Sequence, residues 1–479
     1  MMVRNSHVLL IILAAVILVS CIQEPGKRNV LFIIADDLND NLGAYDHYLV
    51  KTPNIDRLAR RGMLFNQAFC NFPLCGPSRA SMMTGLYPDQ TGHHRLRDFI
   101  RDHVPHVITM SQAFINAGYE SSRVGKIYHY DNPRGIGTPG HDDSLSWNQR
   151  FYPRGVDKEL EDQIFSLRPG SFGAVLSWLA TEEEGEQHTD GLVATKAIEL
   201  LSSYKENNTP FFLGVGFYKP HTPYVAPKEY FEMYNKADIV IPTVPENYLS
   251  TLPEPAAKNL TRFDHQNNLS DSLKRSAIHA YYATISFLDS QVGRVIDALD
   301  SLGLADNTIV VFTSDHGYHM GEHDYFQKLT LFENSGRIPL IIYNPRMENK
   351  GGRTDAFAEM IDLYPTLCEL ANVPAPEYIA GESLVPILKD PLKTVRESIL
   401  TQVNTDYTVR TTKYRYTRWG EGGPGMFEFY DREKDPEELM NLADDSTYSV
   451  LISQMSDLLD QRIQMSRIPP LGLEVLDSN

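Results

Sequence analysis

Four short apolar runs, each stopping on polar residues, constrain the fold of this chain more than any other feature. NVLFII (29–34) leads into Asp36 and Asp37, and PFFLGVGF (210–217) leads towards Lys219 and His221. TIVVFTSDH (308–316) ends in Asp315 and His316, and IPLIIYNP (338–345) supplies a further core strand. Runs this short and this continuously apolar read as strands buried on both faces, as in a parallel sheet. Residues 189–206 and 273–302 carry amphipathic helical patterns between them. The alternation predicts an α/β fold, a large mixed and mostly parallel sheet flanked by helices on both faces. Ligands of such sheets lie beyond the carboxyl ends of the strands, which is where the polar residues fall here.

At 479 residues the chain exceeds the size at which one core usually stops growing, so a smaller appendage is expected beside the main domain. After about Glu382 the texture changes to short alternating strands and turns, followed by a helix from about Thr447 to Met465. This sets a main α/β domain over 28–385 and a C-terminal α+β subdomain on an antiparallel sheet over 386–479. The Pro-rich stretch 241–271 is too long for a routine connector and reads as a lid or pocket wall. TEEEGE (181–186) reads as a solvated acidic loop.

The first 20 residues have a basic lead and an apolar run, then Leu18-Val19-Ser20-Cys21, which resembles a bacterial lipobox. The expectation is an exported lipoprotein, in the periplasm or cell envelope, touching the membrane only through lipid on Cys21 with 21–27 as a tether. The alternative is an uncleaved N-terminal anchor. A formal charge of −18 excludes a general nucleic-acid binder, which needs a basic face. The remaining cysteines, Cys70, Cys75 and Cys368, are odd in number and make no disulfide framework.

Asp36-Asp37 and Asp315-His316 suit a hard divalent cation if the strands bring them together, although each pair alone is weak evidence and such a pair at a strand end is more often a helix cap or turn. Cys75-Gly76-Pro77-Ser78-Arg79, followed after four residues by Thr84-Gly85, resembles the signature of the type I, formylglycine-dependent sulfatases, with Met82 in place of the usual leucine. A Cys70–Cys75 disulfide or a buried structural thiol is the competing reading. NVLFIIADDLNDNLGAYDH, TPNIDRLARRGMLFNQAFC, SRVGKIYH, FFLGVGFYKPHTPY, YYATISFLDSQVGRVIDALD, VVFTSDHGYHMGEHDYFQK and DLYPTLCEL follow in the order of that family. The likeness therefore covers nearly the whole exported chain. The two-residue gap in GKIYH, the YKPH segment and His316 in TSDHG most resemble the iduronate-2-sulfatase branch.

The resemblance implies an alkaline-phosphatase-like fold and one Ca²⁺ held by Asp36, Asp37, Asp315 and His316. It implies that a separate maturation enzyme oxidises Cys75 to formylglycine, whose hydrate attacks sulfur. Arg79 would hold the formylglycine hydroxyl, and Lys126, Lys219 and Lys328 would surround the sulfate oxygens. His221 would be the leaving-group acid and His129 the base that collapses the sulfated intermediate. Cys70 and Cys368 would be spectators. The implied substrate is a sulfated glycosaminoglycan oligosaccharide, heparin, heparan, dermatan or chondroitin, losing a 2-O-sulfate from a terminal iduronate or unsaturated uronate. Arg95, or failing it Arg97, would pair with the uronate carboxylate; the alternative is a surface salt bridge. Other sulfatase specificities (choline sulfate, another sugar position), a phosphatase of the same fold and an inactive glycan-binding lipoprotein are the competing functions.

Overall fold

The computed structural model describes residues 27–476, so the signal segment, Cys21 and all but the last residue of the tether lie outside the described residues. In chain order the strands are β1 (Asn29–Asp36), β2 (Met63–Phe69), β3 (Glu120–Gly125), β4 (Gln149–Phe151), β5 (Phe165–Ser166), β6 (Ser177–Thr181), β7 (Phe211–Pro220), β8 (Tyr224–Pro227), β9 (Thr308–Ser314), β10 (Arg337–Tyr343), β11 (Gly352–Glu359), β12 (Ile399–Val403), β13 (Asp406–Arg410), β14 (Tyr414–Arg418) and β15 (Phe427–Asp431). Eight of them form the central sheet in the order β11-β2-β10-β9-β1-β7-β3-β4. β1 lies between β7 and β9 and is parallel to both, and every residue of β1 is buried.

β10 departs from the parallel pattern, pairing antiparallel with both β9 and β2. A parallel partner would have required a crossover back to the opposite end of the strands. The antiparallel turn instead keeps residues 315–336 at the carboxyl end of β9, so Asp315, His316 and Lys328 all stay on one side.

Two groups of helices cover the sheet. Thr189–Asn207 and the 31-residue Asp271–Ser301 pack on each other and on β7, while Cys75–Thr84 packs with Met110–Asn116 and with Leu363–Ala371, which lies on β1 and β9. All ten residues of Cys75–Thr84 are buried, so no polar face marks it in the sequence. Gly85 closes it in the left-handed region at φ +68°.

β12 to β15 form a four-stranded antiparallel sheet covered by the helix Ser449–Ser466. Buried ion pairs join this region to the main sheet. The Glu333 carboxylate lies 2.9 Å from Arg410 and 2.8 Å from Arg432, and Glu359 lies 2.9 Å from Arg396 and 2.6 Å from Arg462. The stretch 241–271 contains the helix Glu254–Thr261 and short 3-10 turns, and delivers Arg262 and Phe263 to the wall of the cavity described below. Cys70, Cys75 and Cys368 are buried free thiols, so there is no Cys70–Cys75 disulfide. Among the described residues no helix is long and apolar enough to cross a membrane.

Candidate active site

Parallel strands end along one side of the sheet, β7 lying between β1 and β3, and set their polar residues around one point. Asp36 closes β1, Lys126 follows β3, and Asp315 and His316 follow β9. The register of β1 with β7 slips after Ile34, and Asp37 takes a left-handed φ of +63°, a conformation that aspartate tolerates better than most residues. The Asp37 backbone N–H then donates to Asp315 Oδ1 at 3.1 Å, and its carbonyl accepts from Tyr281 at 2.8 Å. β7 approaches very closely where β3 ends: a side chain at Gly216 would fall 2.0 Å from the Lys126 carbonyl oxygen. Glycine there is what lets Lys126 reach the cluster.

Cys75 begins its helix with Sγ 3.2 Å from Lys328 Nζ, 3.3 Å from His316 Nε2, 3.7 Å from Asp36 and 3.9 Å from Asp37. Burial pushes the Cys75 thiol up, and the two nearby lysines only partly offset this. An unmodified thiol here is a poor nucleophile at neutral pH.

Arg79, fully buried, uses all five of its N–H donors. Nε donates to Asp315 at 2.9 Å, Nη1 to the Lys126 and Ile127 carbonyls at 2.6 and 3.0 Å, and Nη2 to the Ala35 carbonyl and Asp36 at 3.3 and 3.2 Å. Its donors thus go to the strand ends and two carboxylates, not to Cys75 Sγ, where Lys328 sits instead. Lys126 Nζ lies 2.6 Å from Asp36, and Lys328 also pairs with Asp37.

The donor set fits a hard divalent cation. Asp37, Cys75, Asp315 and His316 offer ligand atoms within 4.8 Å of one another, as do Asp36, Asp37 and His221. His316 Nδ1 donates to the Gly317 carbonyl at 2.8 Å, which leaves the Nε2 lone pair facing Asp37 and Asp315. Burial pushes the Asp36 and Asp37 carboxyls up despite the lysines beside them. At Asp315 burial also acts upward, but Arg79, His316 and the lysines outweigh it and hold the carboxyl well below its ordinary range.

A cavity of about 580 Å³ opens over this cluster, with Cys75, His129, His221 and Lys328 among its lining residues. His221 donates from Nδ1 to the Thr222 carbonyl at 2.6 Å and sets Nε2 3.7 Å from Asp37. His129 has no hydrogen bond on either ring nitrogen and lies 3.5 Å from Asp131. Burial first, then Lys126 and Lys328, lowers the pKa of His129, and burial with the same two lysines lowers that of His221.

Besides Arg79 and Lys126, neither of which lines the cavity, two more expected residues are placed differently. Lys219 is buried, but its Nζ donates to the Pro223 carbonyl at 3.0 Å, and the side chain does not line the cavity. Arg95 is exposed and outside the cavity wall; Arg97 stands in the wall instead, 3.1 Å from Asp131. Sequence reasoning missed Asp190. Its carboxylate accepts the Tyr218 and Lys219 backbone N–H groups at 2.9 Å each and so holds the end of β7 that carries His221. At the start of an amphipathic helix it reads only as a first-turn acid.

Comparison with known proteins agrees with this geometry. The sulfatase family profile matches residues 28–373, and a profile for the C-terminal part of N-sulphoglucosamine sulphohydrolase matches 321–465. A sulfatase of Formosa agariphila is 32% identical over 454 residues, covering 91% of this chain and 87% of its own. Mouse iduronate 2-sulfatase is 31% identical over 517 residues, covering 89% and 93%. A solved 2-O GAG sulfatase superposes with a TM-score of 0.71 at 25% identity, covering 94% of this chain and 95% of that one. With its mixed sheet and antiparallel C-terminal sheet in the alkaline-phosphatase-like arrangement, the chain belongs to the sulfatase family, the enzymes that hydrolyse sulfate esters.

Proposed function

We propose that the protein is an exo-acting 2-O-sulfatase that removes the 2-O-sulfate from a terminal iduronate or unsaturated uronate of a heparin, heparan, dermatan or chondroitin fragment. One observation carries the reading: Cys75 lies within 3.3 Å of both Lys328 and His316 at a cavity whose wall carries Arg97, Arg134 and Arg262. Such a wall suits an anionic sugar and repels the cationic end of choline sulfate. The likeness to iduronate 2-sulfatase and to a 2-O GAG sulfatase supports the position of the ester.

Asp36, Asp37, Asp315 and His316 would hold Ca²⁺, which supplies polarisation of a sulfate oxygen and stabilisation of a neighbouring oxyanion. Formylglycine, made from Cys75 by a maturation enzyme, supplies a hydrate with one hydroxyl for attack and one for the later elimination of sulfate. Three carboxylates (Asp36, Asp37, Asp315) face three cations (Arg79, Lys126, Lys328) in the buried cluster, so a divalent cation leaves room for two negative charges. A sulfate ester and an ionised nucleophile bring those two.

Arg79 orients Asp36 and Asp315, and Lys126 and Lys328 stabilise the charge that develops on the sulfate oxygens. His221 gives a proton to the departing sugar oxygen; the bound anion opposes burial and raises this imidazole towards the range the role needs. His129, held neutral, takes the proton in the second step. Lys219 is kept as a sulfate contact only if substrate draws its Nζ away from Pro223. Export and a lipid on Cys21 would place the enzyme in the periplasm or cell envelope.

The test is sulfate release by protein produced with a formylglycine-generating enzyme. Peptide mass across Cys75 should fall by about 18 Da relative to the thiol. Turnover should favour a 2-O-sulfated unsaturated uronate disaccharide over a 6-O-sulfated glucosamine and over choline sulfate. Converted protein that ignores the 2-O-sulfated disaccharide would overturn the specificity.

A further inference from the structure

Among the described residues, the cavity wall contains positive charge that no carboxylate pairs with. The chain as a whole carries −18, yet Arg97, Arg134, Lys158, Arg262 and Lys328 line this one cavity against only Asp131 and Glu161. Both acids are already engaged: Asp131 pairs with Arg97 at 3.1 Å, and Glu161 pairs with Lys158. Lys328 is committed to Asp37 at the floor. Among the described residues neither Arg134 nor Arg262 has a carboxylate within 4.0 Å.

Arg262 is also held in place. Its Nη1 donates to Asn259 Oδ1 at 3.2 Å, and its guanidinium lies 4.6 Å from the ring centroid of Phe263, another wall residue. Asn259 in turn donates from Nδ2 to the Leu329 carbonyl at 2.7 Å, so the mount of Arg262 is tied to the residue after Lys328. Arg134 belongs to the same loop as His129 and Asp131. Arg134 thus shares a loop with His129, and Arg262 is tied through Asn259 to the loop that carries Lys328.

We propose that Arg262 and Arg134 form an outer anion subsite that takes an anionic group, a sulfate or carboxylate, on the sugar adjoining the one being desulfated. A guanidinium without a carboxylate partner binds such a group through charge-assisted, fork-like hydrogen bonds. The inference rests on the reading of this cavity as the site of a sulfated sugar. It adds that the preferred substrate carries at least two anionic residues in sequence.

The experiment compares kcat/KM for two disaccharides with the same 2-O-sulfated uronate, one with and one without a sulfate on the adjoining hexosamine. The wild-type enzyme should favour the doubly sulfated one by roughly tenfold, about 1.4 kcal/mol. In Arg262→Ala/Arg134→Ala that ratio should collapse towards one, chiefly through KM, and added salt should narrow the wild-type ratio. A wild-type ratio near one, or a ratio the double variant preserves, overturns the subsite. If the wild type cleaves neither disaccharide, the proposed function fails, and binding to Cys75→Ala by calorimetry decides the subsite. A preference for the doubly sulfated ligand that the added arginine substitutions remove supports it, and equal binding overturns it.

Discussion

Replacing Arg79 with lysine keeps the charge and removes the geometry, and so tests what holds the strand ends together. The guanidinium donates five hydrogen bonds to five acceptors, all in the buried cluster at the ends of β1, β3 and β9. An ammonium has three donors, so at least two buried acceptors lose their partner. At about 1–3 kcal/mol for each unsatisfied group the loss is about 2–6 kcal/mol. With an unfolding entropy of about 2 cal/mol/K per residue over ~450 residues, each kcal/mol moves Tm by about 1 °C. Calorimetric unfolding of Arg79→Lys should therefore show a midpoint about 2–6 °C lower. Asp36 and Asp315 both lose their orienting partner, so Ca²⁺ affinity measured by titration should fall by about 10–100-fold. A variant that unfolds within 1 °C of wild type and binds Ca²⁺ equally well would refute the reasoning.

The Glu333 carboxyl gives a pH dependence. Burial acts to raise it, but Arg410, Arg432 and Arg337 outweigh burial and hold it down to about 2, against 4.5 ordinarily. A carboxyl lowered in the folded state contributes stability above its unfolded pKa and loses it as pH falls through the folded one, here between about 4.5 and about 2. On the order of 3 kcal/mol is involved, and the fall of Tm over this range should be shallower in Glu333→Gln than in wild type. Asp190→Ala leaves two buried backbone N–H groups without acceptors. Burial raises the Asp190 carboxyl to about 7, so removing its charge offsets part of the loss, and the net destabilisation should be near 2 kcal/mol, the low end of about 2–6. Its kcat should fall with displacement of the His221 turn, and unchanged Tm and kcat together would count against that positioning role. Chelation with EGTA should lower Tm by about 3 °C relative to Ca²⁺ at 100 times its Kd, since ligand at that level contributes about 2.7 kcal/mol. An unchanged Tm after chelation would argue against a calcium site that fits the folded state.

Much of this protein was legible in its sequence because the deciding interactions are local or repeat along the chain. NVLFII became β1, and residues 189–206 and 273–302 became Thr189–Asn207 and Asp271–Ser301 within two residues at each end, since periodicity is a property of neighbours in sequence. Asp36, Asp37, Asp315 and His316 could be named because each directly ends or follows an apolar run, and parallel neighbours bring such ends together without further information. The direction of β10 could not be read, since an apolar run has no polarity. Nor could the choice of Arg97 over Arg95 for the cavity wall, which turns on the path of one short loop. Lys219 sits at the expected strand end, but Pro223, four residues on, draws its Nζ away from the cavity. Asp190 under the end of β7, and Arg262 joined through Asn259 to Leu329, are contacts between distant segments. Only the packing of helices and loops on the finished sheet decides them, because the energy that selects each partner exists only once both segments are in place.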